Sequence, residues 1–100
     1  MTAVHFSGPA AQDLSEAVRW YDQQRAGLGG ELFDAAQVAV ERIREHPESG
    51  APRPTRPEVR QLRLQKFPYN LVYQIQSDGA VIIAVAHTSR RPDYWSHRVS

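Results

Sequence analysis

The feature of the sequence that most constrains the fold is the apolar run from Val81 to Ala86, which follows the turn residues Ser77-Asp78-Gly79. The run is too short for an ordinary helix and rich in β-branched residues, so it predicts a strand that is covered on both faces. Such a strand lies in the middle of a sheet. From His87 to Trp95 the sequence becomes cationic, hydroxylic and aromatic. We therefore expect the strand to hold a recognition surface at its carboxyl end.

The sequence before this run predicts one strand and two helices. Residues 3–6 alternate as a short strand, which Ser7-Gly8-Pro9 ends. Pro9 fits the first turn of a helix that has Ser7 or Gly8 as its cap and runs to Gly27. A second helix is predicted from about Glu31 until Pro47 stops it. Because the link between the helices is short, we expect them to pack antiparallel as a hairpin.

Two aromatic residues are placed by the helical periodicity. Trp20 lies beside the apolar stripe of the first helix, and burial is the commoner fate of an indole at such a position. Phe33 falls within the apolar stripe of the second helix.

The second half of the chain predicts a hairpin-connected sheet. Residues 48–57 contain three prolines and no periodic pattern, which indicates an extended surface loop. Residues 59–66 and 69–75 alternate as strands, and a tight turn leads from the second of them into the apolar run. The prediction is a single α+β domain over residues 1–100, ordered β-α-α-β-β-β. A helical hairpin covers one face of a mainly antiparallel four-stranded sheet, and the other face is partly open.

Charge is divided between the two halves of the chain. Residues 1–46 carry seven acidic side chains and four arginines, a balance of −3, whereas residues 47–100 carry eight basic and four acidic side chains, a balance of +4. Seven of those eight bases are arginine, which suits forked contacts with phosphate or carboxylate. The second half thus predicts an anionic partner, unless the two halves neutralise each other in the fold.

The composition argues against several other classes of protein. The chain has no cysteine, which excludes disulfides and thiolate metal sites. No apolar run approaches the roughly 20 residues of a membrane span, and no leader precedes the first strand, so we expect a soluble, cytoplasmic protein with no membrane partner. His5, His46, His87 and His97 lack ligand spacing, and no glycine motif binds phosphate, so we predict neither a metal nor a cofactor.

Basic and aromatic side chains of the second half form the candidate target-binding cluster. Its members are Arg60, Arg63, Lys66, His87, Arg90, Arg91, Tyr94, Trp95 and Arg98. Arginines interleaved with aromatic rings suit nucleic acid, and they equally suit an acidic groove on a protein. A solvated strand face with a carboxyl-terminal tail pinned to the sheet is the structural alternative. Metal-free RNA cleavage would need a base, a cation and an acid, roles that His87, Arg90 or Arg91, and Tyr94 could fill.

Three motifs, in this order and spacing, resemble one known family. Asp-Leu-x-Glu-Ala-x-x-Trp-Tyr begins at Asp13 and is followed by Gly27-Leu28-Gly29; Phe-Pro-Tyr-x-x-x-Tyr begins at Phe67; His-x-x-Arg-x-Pro-x-Tyr-Trp-x-x-Arg begins at His87. Together they resemble the RelE/ParE superfamily of bacterial type II toxins over nearly the whole chain.

That resemblance implies a small cytoplasmic toxin of a toxin-antitoxin system that arrests growth in the stress response. A cognate antitoxin, ParD-like in type, would wrap it and pack apolar side chains on the region of Trp20, Tyr21, Leu28 and Phe33. Acidic side chains of the antitoxin would meet the arginines.

Two activities occur in the superfamily. RelE-like members cut messenger RNA on the ribosome, and His87, Arg91 and Tyr94 would be the catalytic residues of that activity here. Their pattern, however, has an arginine where this chain has Asn70, and a lysine-rich second strand of which only Lys66 is present. The resemblance therefore favours the ParE-like branch, which inhibits DNA gyrase and is not an enzyme. A metal-independent mRNA endoribonuclease and a non-toxic, antitoxin-binding relic are the alternatives.

Overall fold

The computed structural model describes residues 2–99 as two helices packed on a five-stranded sheet. In chain order the elements are β1 (Val4–Phe6), α1 (Gly8–Gln24), α2 (Leu28–Glu45), β2 (Ala51–Arg53), β3 (Arg56–Arg63), β4 (Tyr69–Gln76) and β5 (Gly79–His87). Short 3₁₀ turns occupy Pro47–Ser49 and Ser96–Arg98. The strand order is β1-β5-β4-β3-β2, with β1 parallel to β5 and the other pairs antiparallel. The predicted α+β class and helical hairpin are confirmed.

The sheet has five strands instead of the predicted four. Residues 51–53, which the sequence places in a surface loop, pair with β3, so that Ala51 lies opposite Gln61 and Pro52 opposite Arg60. Pro52 argued against a strand here, because proline cannot donate a hydrogen bond to a neighbouring strand. It is tolerated at a sheet edge such as this one.

Helix α2 begins at Leu28, three residues before the predicted start. Gly27 adopts a left-handed conformation (φ 91°), and the carboxylate of Asp22 on α1 accepts the Gly29 N–H at 2.7 Å. The cap is thus supplied by the preceding helix, and no residue type next to α2 reveals it. A Cβ at Gly29 would collide with the Val18 carbonyl and the Asp22 carboxylate, so this glycine permits the close approach of the two helices.

Two apolar cores lie on opposite faces of the sheet. The core beneath the helices includes Leu32, Ile43, Leu71, Tyr73 and Ile82, which are fully buried. The core on the other face consists of Val59, Val72, Ile83, Ala84, Ala86 and Trp95. Trp95 arrives from the segment after β5, so this face is partly covered by the chain's own carboxyl-terminal residues.

A bulge in β5 places two consecutive side chains on the same face of the sheet. Val72 of β4 pairs with Ala84 while Tyr73 pairs with Ile82, so Ile83 has no partner in β4. Ile83 and Ala84 consequently both belong to the second core, whereas Ile82 belongs to the first. The prediction that the apolar run is covered on both faces is confirmed.

Trp20 and Phe33 lie outside the cores, contrary to the prediction. Trp20 is 53% exposed because its neighbour Tyr21 takes the inward position, with its ring 5.2 Å from that of Phe67. Phe33 is 45% exposed, since it lies about 100° around the helix axis from the buried Leu32.

Within residues 2–99, no helix combines the length and apolarity that a membrane crossing requires. That part of the chain also contains no group of three or more side chains suited to hold a metal ion.

Candidate functional site

A polar cleft forms where the segment after β5 folds back over the second face of the sheet. We call it the carboxyl-terminal cleft. Its lining residues are Arg53, Gln61, Asn70, Ala86, His87, Thr88, Arg90, Arg91, Pro92, Asp93, Tyr94 and Trp95. The sheet supplies the floor, because Asn70 lies opposite Ala86 in the ladder between β4 and β5. The returning segment supplies the arginines.

The returning segment is fixed to the sheet at both of its ends. At its start, the Thr88 N–H donates to the Pro68 carbonyl at 2.8 Å. Near its end, the Trp95 side chain is buried in the second core with 3% exposure. An indole buries more apolar surface than most side chains, so Trp95 anchors this segment to the sheet.

Between those two points, Asp93 ties the segment to the edge strand β2. The Arg53 side chain donates to Asp93 Oδ1 from Nη2 at 2.8 Å, and the Thr55 hydroxyl donates to Oδ2 at 2.9 Å. Asp93 adopts a left-handed conformation with φ 60°, which non-glycine residues rarely adopt. These contacts hold the turn that presents the arginines.

His87 presents a hydrogen-bond donor at the end of β5. Its Nδ1 accepts the Ser89 N–H at 3.0 Å and lies 2.7 Å from the Ser89 hydroxyl oxygen. A neutral imidazole whose Nδ1 is an acceptor carries its proton on Nε2. The ring also packs edge-on against Tyr69, with centroids 5.0 Å apart. His87 is therefore held in one orientation and one tautomer.

Arg90 and Arg91 are the exposed cations of the cleft. Among residues 2–99 neither guanidinium forms an ion pair with an acidic side chain. The Arg90 guanidinium lies 4.1 Å from the centre of the Tyr94 ring, a cation–π contact that favours this orientation. Their positive charge is available to an anionic partner.

Burial raises the pKa of the Tyr94 phenol above its ordinary value of 10.0, and nearby Asp13 raises it further. Arg90 and Arg98 lower it in part. The net shift is upward, so Tyr94 is a neutral phenol at physiological pH.

The structure does not bring all nine predicted target-binding residues together. His87, Arg90, Arg91, Tyr94 and Trp95 line the cleft, although Trp95 is buried and acts as an anchor. The other four, Arg60, Arg63, Lys66 and Arg98, are absent from its lining.

Each of the other four has a different setting. Arg60 and Arg63 point to opposite faces of β3, because side chains alternate along a strand. The Arg60 guanidinium donates to the carbonyls of Glu48 and Gly50, at 3.1 and 2.7 Å. Arg63 lies opposite Asn70, next to the cleft, with Nε 3.3 Å from the Phe67 carbonyl. Lys66 is an exposed turn residue with φ 73°, and Arg98 is paired with Asp13 at 2.7 Å.

Seven lining residues were not predicted as site residues, and three of them, Arg53, Gln61 and Asn70, are polar side chains supplied by the sheet. The alternation of β3 placed Gln61 on the polar face of its strand, which was a usable signal. Arg53 carries no such signal, because the prolines on both sides of it predict a loop where the structure has β2.

The four residues predicted to contact an antitoxin lie along the helical hairpin. Trp20 and Phe33 are exposed, whereas Tyr21 and Leu28 are half-buried against the helix-facing core. A second cleft leads from Trp20 past Tyr69 to His87, Arg90 and Tyr94. The exposed Trp20 on α1 is thus connected to residues of the cationic cleft.

The fold is that of a toxin-antitoxin protein. It superposes on a chain described as the chromosomal ParDE TA system from P. aeruginosa with a TM-score of 0.77, covering 89% of this chain and 98% of that one at 20% sequence identity. The family model described as the ParE toxin of the type II toxin-antitoxin system parDE matches residues 4–92. This chain therefore belongs to the ParE toxin family, which confirms the resemblance seen in its motifs. No curated protein matches its sequence.

Proposed function

We propose that this chain arrests growth by binding and inhibiting DNA gyrase through its carboxyl-terminal cleft, and that a cognate ParD-like antitoxin neutralises it. Membership of the ParE toxin family supports the toxin role. The observation that carries the binding surface is the pair Arg90 and Arg91, two exposed guanidinium groups on a segment seated by Trp95. The positive charge of this surface favours an acidic partner. Because the segment is already ordered, little conformational entropy is lost on binding.

The chemistry of the cleft supports binding more than catalysis. A general base needs a free lone pair directed at the proton it removes. In His87 the Nδ1 lone pair is already used by the Ser89 N–H, and Nε2 carries the proton. The raised pKa of Tyr94 makes the phenol a weaker acid for a leaving oxygen. The cleft is therefore better suited to donate hydrogen bonds to an anion than to transfer protons.

Ribosome-dependent cleavage of messenger RNA is the second candidate function. It is favoured by one observation, which is that His87, Arg91 and Tyr94 all line the same cleft. In that case the cleft would bind a phosphodiester of the message, and the arginines would stabilise the charge that develops on the phosphorus oxygens.

The antitoxin surface is proposed for the exposed side of the helical hairpin. Trp20 and Phe33 together present two large apolar side chains to solvent, at 53% and 45% exposure. Aromatic side chains of this kind are frequent anchors of protein interfaces. The partner we propose is an extended or helical segment with apolar side chains for Trp20 and Phe33 and acidic ones for Arg90.

Purified protein assayed in parallel on gyrase and on cell-free translation tests the proposal. We expect inhibition of supercoiling, accumulation of gyrase-cleaved DNA and reversal of both by the antitoxin encoded beside the toxin. Cuts mapped by primer extension on translated messages, with gyrase unaffected, would instead establish the nuclease. Normal growth on expression of folded protein, with neither activity, would leave an antitoxin-binding relic.

A further inference from the structure

The outer edge of β5 loses its strand partner halfway along. Strand β1 pairs with β5 only from Ala80 to Ile82, and the Ser7 N–H makes the last backbone contact, with the Ile82 carbonyl at 2.9 Å. Helix α1 begins at Gly8, so β1 does not continue along this edge. Backbone groups of Ile83 and Val85, both buried residues, would then lack partners, which is costly inside a protein.

Two side chains, Asp13 and Arg98, take the place of the missing strand. Asp13 Oδ2 accepts the Val85 N–H at 3.1 Å, and Arg98 Nη1 donates to the Ile83 carbonyl at 3.1 Å. The same two groups form an ion pair, with Arg98 Nη1 2.7 Å from Asp13 Oδ2. One acceptor and one donor thus complete the ladder at the β5 bulge.

The pair joins three parts of the chain that are distant in sequence. Asp13 lies on α1, the backbone groups belong to β5, and Arg98 lies in the final 3₁₀ turn. Both side chains are only 18% exposed, so the pair is largely shielded from water. The hydrogen bond with Asp13 raises the pKa of Arg98 above its ordinary value, although burial acts in the opposite direction.

A short series of contacts leads from this pair to the target-facing cations. The Arg98 guanidinium lies 5.9 Å from the centre of the Tyr94 ring, and Arg90 lies 4.1 Å from the same ring. Movement of Arg98 would therefore move Tyr94 and the direction of Arg90. None of these four side chains belongs to the helix-facing core.

We propose that Asp13 and Arg98 are a positioning pair that completes the edge of β5 and thereby holds the carboxyl-terminal segment, with Arg90, in its target-binding form. Loss of the pair loosens the edge of β5 and the side chains of Tyr94 and Arg90, and it leaves the helix-facing core folded. The activity part of this inference rests on the proposed function; the structural part does not.

Three variants test the pair in the full-length protein, and a fourth is the control. Asp13→Ala removes the acceptor for the Val85 N–H, and Arg98→Met removes the donor to the Ile83 carbonyl. The charge-swap variant D13R/R98D keeps two opposite charges but reverses their positions. The control is Arg44→Gln, which breaks the exposed Arg44–Glu41 pair (2.8 Å) on α2. The readouts are amide hydrogen exchange at Val85 and at Leu71 in the buried strand β4, inhibition of the target, and affinity for the antitoxin.

We expect Val85 to exchange about tenfold faster or more in the two single variants, with Leu71 unchanged. The charge-swap variant D13R/R98D should not recover slow hydrogen exchange at Val85. A guanidinium at position 13 cannot accept the Val85 N–H, and a carboxylate at position 98 cannot donate to the Ile83 carbonyl. Target inhibition should fall by about tenfold. Antitoxin affinity should fall less, because Trp20 and Phe33 stay in place and only its contact with Arg90 is lost, and the control should match wild type. Equal acceleration at Val85 and Leu71, unchanged Val85 exchange, or full recovery in D13R/R98D would overturn the proposal.

If a single variant does not fold, Arg98→Lys keeps the charge and one donor, and we expect it to show the same pattern to a smaller degree. A wild-type protein that fails to inhibit gyrase would refute the proposed function. The exchange rates at Val85 would still decide whether the pair holds the segment.

Discussion

Arg53 holds Asp93 through two N–H groups, Nε at 3.1 Å and Nη2 at 2.8 Å from the same carboxylate oxygen, across 40 residues of sequence. The contact fastens the returning segment to the edge strand β2. It also holds Asp93 in a left-handed backbone conformation.

The role of this contact can be separated from that of the backbone conformation. Asp93→Ala should lower the free energy of unfolding by about 1–3 kcal/mol, because it removes the carboxylate and keeps a Cβ at φ 60°. Asp93→Gly loses the same carboxylate but relieves the backbone, so it should be less destabilising. Denaturant unfolding of both variants measures the difference. Equal stability of the alanine variant and wild type would contradict the account.

Trp95 is predicted to be an anchor of the fold and not a contact for the target. Trp95→Ala should cost about 3–5 kcal/mol of unfolding free energy, since it empties a buried site in the second core. Trp95→Phe should be milder and should retain target inhibition wherever it folds. A Trp95→Phe protein of normal stability that no longer binds the target would show that the indole itself is recognised.

Trp20 is predicted to serve binding and not stability. Trp20→Ala should change the unfolding free energy by less than about 1 kcal/mol, because the side chain is 53% exposed. It should weaken antitoxin binding by about 2 kcal/mol or more, the usual range for a buried aromatic anchor. Titration calorimetry with the purified antitoxin measures its affinity for the wild-type protein and for Trp20→Ala. Ile75→Ala is the matched control, because Ile75 is an exposed apolar residue of β4 (41%) and does not belong to the helical hairpin.

Alkaline pH should destabilise the protein through two tyrosines. Burial raises the pKa of Tyr69 and of Tyr94 above 10.0, and the charges on neighbouring groups add to the shift in Tyr69. A raised pKa in the folded state means that the folded protein favours the neutral phenol. The resulting stability is fully present below pH 10.0 and is lost as pH rises through the raised values. Tyrosinate absorbance during an alkaline titration measures the raised pKa values. Tyr69→Phe should remove one of the groups that titrate late. Titration of every tyrosine at the ordinary pKa would contradict this prediction.

The sequence predicted those elements whose signals are local. The apolar run from Val81 to Ala86 and the cap at Ser7, whose hydroxyl accepts the Ala10 N–H, are as expected. The family motifs were also sufficient to identify the family.

The features that were missed depend on contacts between distant residues. Strand β2 forms only because β3 is beside it, and α2 starts early because Asp22 of α1 caps it. Charge composition groups Arg98 with Arg90 as a free cation. In the structure, however, Arg98 forms an ion pair with Asp13, which lies 85 residues away in sequence. Composition shows how many cations a chain has, whereas only the tertiary structure shows which of them remain available.

The most direct test of the account is inhibition of gyrase-catalysed supercoiling by wild-type protein and by the double variant R90Q/R91Q. The control is R19Q/R42Q, which removes the same charge from exposed positions on the helical hairpin. We predict that wild type and control inhibit equally and trap cleaved DNA, and that R90Q/R91Q needs an about tenfold higher concentration or more, at unchanged stability. Equal inhibition by all three proteins, or none by folded wild type, would contradict the claim that these two arginines bind the target.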